Sequence, residues 1–142
     1  MKVPMQLRLP ILPLLAVVLA LSACMSGGPT RAEKLASYQA YAGTPLRQIR
    51  YNNPIGWEEI DGQHIVLTVR PHESYLVRLS GPCLDYDDGS PVLVVSSTAG
   101  YVASGFDRVT VGSSGFHCRI EEIRPIDMQA LRANEAKTQP GG

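Results

Sequence analysis

Hydrophobic and polar positions along this chain follow three regimes. Residues 9–23 form a continuous apolar run in which Ser22 is the one polar residue. Leu35, Tyr38 and Ala42 then recur at helical spacing. From Trp57 onward the period changes to two. Over residues 64–70, Ile65, Leu67 and Val69 share one face, while His64, Val66, Thr68 and Arg70 share the other. Residues 56–60, 75–79, 107–111 and 116–123 read as further strands, and the β-branched run 92–97 reads as a buried one. Turn signals punctuate them: Asp61-Gly62 as a two-residue hairpin turn, Pro71-His72-Glu73-Ser74, Ser80-Gly81-Pro82, and Gly112-Ser113-Ser114-Gly115.

Short strands with frequent turns predict a mainly β fold, a small antiparallel sheet curled into a barrel or sandwich. Thr30 with Glu33 three residues on has the form of a capping box, which predicts a short N-terminal helix stopped near Gly43 and Pro45. Asp127 is placed to cap a short C-terminal helix through Met128 and Leu131, with a disordered tail beyond Lys137.

The first regime is the pattern of a secretory signal. Lys2 and Arg8 are the charges before Arg31, and the apolar run follows them. A membrane-spanning helix needs roughly 20 apolar residues, and this run is shorter and contains Pro10 and Pro13. Its end, Leu21-Ser22-Ala23-Cys24, resembles the bacterial lipobox. That resemblance implies cleavage between Ala23 and Cys24 and acylation of Cys24, so the chain divides into a signal peptide (1–23), a lipidated tether (24–29), one disulfide-bonded β domain with its N-terminal helix (30–127), and a short helix and tail (128–142). The residue after the cysteine is Met25 rather than Asp, which points to the outer membrane, facing the periplasm. Fully extended, the tether reaches about 20 Å, so the domain is expected to sit close to its membrane.

Removal of the signal leaves one small domain. Lys2 and Arg8 leave with it, so 11 basic residues remain against 13 acidic ones and the net charge is about −2. Nothing in that balance suggests nucleic acid as a partner. Of the three cysteines, assignment of Cys24 to lipid leaves Cys83 and Cys118 as a pair in an oxidising compartment. Such a bridge would contribute roughly 3–4 kcal/mol in the chain-entropy model. It would also fasten the last strand back onto the middle of the sheet.

Trp57, the strand 75–79, Gly81-Pro82-Cys83, Phe106-Asp107-Arg108-Val109 and Cys118-Arg119-Ile120-x-x-Ile123-x-Pro125 resemble a family of small proteobacterial envelope proteins, often lipoproteins, without an assigned function. The resemblance spans roughly residues 45–127. It implies the Cys83–Cys118 disulfide and a shared domain, and it implies no activity.

Candidate chemistry is sparse. Asp85-Tyr86-Asp87-Asp88-Gly89 has the acids of a calcium loop, but its glycine comes one place early for an EF-hand and position twelve is Ser96. A solvated turn is the better reading. His64, His72 and His117 have no ligand spacing between them, and Gly112-Ser113-Ser114-Gly115 lacks the spacing of a nucleophile elbow. Glu58-Glu59 and Glu121-Glu122 are adjacent pairs that strands would send to opposite faces. Arg108, Arg119 and Arg124 are expected to form a salt-laced surface with Glu121 and Glu122, and Trp57 to pack on the core.

The expectation is therefore a non-enzymatic envelope lipoprotein with no catalytic residue, metal or cofactor. Its partners would be membrane lipid, through acylated Cys24, and an envelope protein or cell-wall component. Two rivals compete with it. One is an inhibitor of host lysozyme, whose serine–glycine–tyrosine loop is similar in composition, though not in spacing, to Ser97-Thr98-Ala99-Gly100-Tyr101. The other is a redox protein or enzyme using Cys83 and Cys118.

Overall fold

The computed structural model describes residues 27–52, 54–86, 92–113 and 115–138. The cleavage site at Ala23, the lipid attachment at Cys24, the acidic residues Asp87 and Asp88 with Gly89, and the tail 139–142 lie outside them. No helix among the described residues is long and apolar enough to cross a membrane.

Helix α1 (Arg31–Ala40) begins where the capping box places it. The Thr30 hydroxyl accepts the Glu33 N–H at 3.2 Å, and the Glu33 carboxylate accepts the Thr30 N–H at 2.8 Å. Among the described residues eight strands follow: β1 (Gln48–Arg50), β2 (Gly56–Asp61), β3 (His64–Arg70), β4 (Glu73–Leu79), β5 (Leu93–Val95), β6 (Tyr101–Ala103), β7 (Arg108–Val111) and β8 (His117–Ile126). A single 3-10 turn (Cys83–Tyr86) follows β4, and helix α2 (Met128–Thr138) closes the described chain. The Asp127 carboxylate accepts the Ala130 N–H at 2.9 Å, so it does cap α2.

The main sheet is antiparallel throughout, in the order β2-β3-β4-β8-β7-β5, and β1 pairs with β6 as a separate ribbon. β8 is the centre of this arrangement rather than its closing edge. It bonds β4 along most of its length and β7 at its start. Its second half also receives the Gly43 N–H on the Pro125 carbonyl and the Leu46 N–H on the Ile123 carbonyl, both at 2.8 Å. The sheet is curled into a half-barrel.

Period-two patterning fills the inside. Ile65, Leu67 and Val69 of β3 meet Val77 and Leu79 of β4, Ile120 and Ile123 of β8, and Ile49 and Val102 of the ribbon. The outer face of β2, β3 and β4 is covered as well. Val66 and Leu76 pack there against Tyr38 of α1 and Leu131 of α2. Burying an apolar side chain of this size stabilises by about 1.5–3 kcal/mol, and the helices supply that burial for a face the pattern marked as more polar.

The run 92–97 departs from expectation. β5 has three residues and is an edge strand, paired with β7 alone. Leu93 and Val95 turn inward and are half-buried, whereas Val92 and Val94 are 54% and 57% exposed. A β-branched run indicates a strand but does not say whether both of its faces are covered.

Candidate functional site

The half-barrel is open between its two edge strands, β2 and β5. Tyr51, Pro54, Gly56, Trp57, Leu67, Val92 and Leu93 line a cleft of about 280 Å³ there. β2 supplies Trp57, which the sequence placed on the core. Its ring does pack against the inner cluster, and it also forms one wall of the cleft. Tyr51 is half-buried beside it, and burial pushes its phenol above the usual tyrosine range. Among the described residues no charged side chain lines the cleft, and its Trp57 and Tyr51 rings suit contact with an apolar or aromatic group.

A second groove, about 580 Å³, lies between the β3–β4 turn and the start of α2. His72 and Arg132 line it, together with Asp127, which is engaged in capping α2.

The three histidines stand in three separate settings. His64 places Nδ1 2.9 and 3.0 Å from the two carboxylate oxygens of Asp61 at the β2–β3 turn. Burial alone would raise the Asp61 carboxyl. Donors from the Gln63 N–H, the His64 N–H and the His64 ring outweigh it and hold the group below the usual carboxylate range. The His117 ring meets the Thr110 hydroxyl at 2.6 Å on the outer face of β7 and β8. His72 lies in its turn, at the second groove. Among the described residues no three His, Cys, Asp or Glu side chains converge as a metal site. The described end of the acidic stretch, Asp85, is held by Arg31 at 3.2 Å.

Cys83 and Cys118 form a disulfide, with Cα atoms 6.0 Å apart. The bridge runs from the 3-10 turn to the start of β8 and packs into the inner core. Both glutamates of the first pair, on β2, are engaged by cations of α1: Lys34 Nζ is 2.7 Å from the Glu58 carboxylate, and Arg31 is 3.4 Å from that of Glu59. The expected salt-laced surface forms only in part. Glu121 pairs with Arg78, and Arg124 donates to the Gly43 carbonyl at 2.8 Å. Arg108 and Arg119 stand directly opposite one another on β7 and β8, and neither has an acidic partner among the described residues.

A disulfide-bonded, mainly β half-barrel flanked by two helices is thus the class of domain this chain folds into. The chain belongs to a family of unknown function, DUF6491, whose model matches residues 5–141. No curated protein and no solved structure matches it.

Proposed function

We propose that this chain is a lipoprotein of the bacterial envelope, anchored through acylated Cys24 after cleavage at Ala23 and facing the periplasm from the outer membrane. The observation that carries this reading is Leu21-Ser22-Ala23-Cys24 at the end of the apolar run. The start of α1 at Arg31 supports it, because it leaves the folded domain within a short tether of the lipid. The domain acts as a binding or structural module, not an enzyme, and the Trp57 cleft is its receptor for an apolar group of an envelope protein or cell-wall component. The lysozyme-inhibitor reading has less to support it, since residues 98–101 form a tight turn closed by Thr98 and Tyr101.

Growth with a labelled fatty acid tests the anchor. The native chain takes up label and Cys24→Ser does not, leaving uncleaved or soluble protein. A Cys24→Ser chain that still incorporates label and stays in the membrane would overturn the assignment. Crosslinking in intact cells tests the module: the partner captured by the native chain is lost from Val92→Asp, which changes an exposed wall of the cleft.

A further inference from the structure

The outer face of the sheet is unequally covered. α1 and α2 lie over β2, β3 and β4, while β7 and β8 present Arg108, Thr110, His117 and Arg119 outward. The Ile120 N–H donates to the Asp107 carbonyl, which makes Arg108 and Arg119 a non-hydrogen-bonded pair. In such a pair the Cα atoms are about 4.5 Å apart and the side chains are close. Like charges directly opposite on a sheet are destabilising. Here nothing within the described protein offsets them. Asp107 is buried and accepts the Ser96 hydroxyl and the Ala103 N–H, and Glu121 is held by Arg78.

Beside the pair, the edge strand sets exposed Val94 opposite Thr110, and Phe116 is 57% exposed just before His117. Cations interleaved with exposed apolar side chains match the boundary between headgroups and acyl chains of an anionic bilayer.

The start of α1 is linked to β8 through a relay of contacts. Arg31, at the start of α1, bonds Asp85, which follows Cys83 in the 3-10 turn. Cys83 is bridged to Cys118, whose neighbour is Arg119.

We propose that the outer face of β7 and β8, centred on Arg108 and Arg119, docks the domain onto the anionic membrane surface to which it is tethered. The proposal rests on the anchor reading above. It converts a freely swivelling domain into an oriented one, with the Trp57 cleft held at a fixed attitude to the bilayer.

Arginine footprinting of the full-length acylated protein tests it. The protein is placed in vesicles of phosphatidylcholine, alone or mixed with phosphatidylglycerol, treated with phenylglyoxal, and read residue by residue by mass spectrometry. Each arginine beside an anionic surface contributes about a fivefold preference, so the pair should favour docking roughly thirtyfold. Arg108 and Arg119 should be protected in the mixed vesicles, with the protection lost at high salt. Arg47, Arg50, Arg70 and Arg132 should react equally in both. Arg108→Gln should lower the protection of Arg119 about fivefold, with a melting temperature equal to or slightly above that of the native chain because the like-charge pair is relieved.

Equal reaction of Arg108 and Arg119 in the two vesicle types, or uniform slowing of all arginines, overturns docking. Protection by inorganic phosphate in free solution without a vesicle effect overturns it in favour of a small anion. The same spectra report the mass of the N-terminal peptide. An acyl group without arginine protection indicts docking alone, and a missing acyl group removes both readings.

Discussion

Gly62 faces the carboxylate of Asp85 so closely that a Cβ there would stand 2.3 Å from Oδ2. Gly62 belongs to the β2–β3 turn and Asp85 to the 3-10 turn, so this approach seats the segment after β4 beneath the hairpin, with the Leu84 N–H on the Gly62 carbonyl at 3.1 Å. Gly62→Ala should cost about 1 kcal/mol, because the Asp85 carboxylate must rotate away from it and from Arg31, whereas Gly56→Ala, with nothing within 4 Å, should cost less. Because Asp85 is the group in the way, Asp85→Ala should recover most of the loss. Urea denaturation of the two single variants and the double variant measures this coupling.

The disulfide joins segments far apart in sequence, with a separation of 35 residues. Native protein should show no alkylatable thiol at Cys83 or Cys118 until it is reduced. Removal of the bridge as Cys83→Ala with Cys118→Ala should lower stability by roughly 3–4 kcal/mol, equivalent to about 15 °C or more in melting temperature for a domain of this size. Two reactive thiols in unreduced protein would contradict the bridge.

Asp107 is 4% exposed and accepts the Ala103 N–H and the Ser96 hydroxyl, both at 2.7 Å. It ties the turn after β6 to the end of β5. Asp107→Ala leaves those donors without their acceptor and should cost about 2–3 kcal/mol. Asp107→Asn keeps an acceptor oxygen and should cost less, as chemical denaturation of the two variants would show.

Stability should depend on pH at both ends. The Asp61 carboxyl is depressed in the folded protein, so its contribution is present above the unfolded value, about pH 4, and is lost as pH falls through the lower folded value. The Tyr75 phenol is pushed up to about 12, first by burial and then by its hydrogen bond to Glu73. Its contribution is complete below the unfolded value, about pH 10, and disappears as pH rises towards 12. Asp61→Asn should flatten the acid limb and Tyr75→Phe the alkaline limb in melting curves recorded across pH.

Ala99 has φ 51°, the left-handed region, next to Gly100 at 78°. A side chain there costs roughly 1–2 kcal/mol, so Ala99→Gly should stabilise the turn by about 0.5–1 kcal/mol. Gly100→Ala should do the reverse, because its Cβ would also meet Asn52 Oδ1 at 2.7 Å. Thermal melts of the two variants give the comparison.

Much of this architecture is legible in the chain. Thr30 with Glu33 and the alternation in 64–70 are local signals, and both appear where local chemistry puts them. The Cys83–Cys118 pairing was expected from the assignment of Cys24 to lipid, and the two side chains do meet as a disulfide. β1 and β6 were not anticipated, because strands of three residues carry too few alternations to register. Val66 was assigned to a polar face because periodicity within a strand cannot say that a helix from elsewhere lies over it. The hairpin turn shifts by one: Asp61 pairs with His64, so Gly62 and Gln63 form the loop. The site shows the same division. Trp57 stood out by composition, but the Tyr51 and Val92 walls depend on how far the sheet curls. Arg108 opposite Arg119 depends on the β7–β8 register, which the intervening loop leaves open in sequence.

The central position of β8 sets the timetable of folding. β4, β7 and the segment 42–46 all exchange hydrogen bonds with residues 117–126, and Cys83 is joined to Cys118 there by the disulfide. A ribosome releases those residues after all the other described strands. Until then the earlier strands hold hairpins without a middle, and closing the sheet requires loops of high sequence separation. Newly made chain therefore stays pliable for almost its whole length, and commits to its shape in one late, cooperative step.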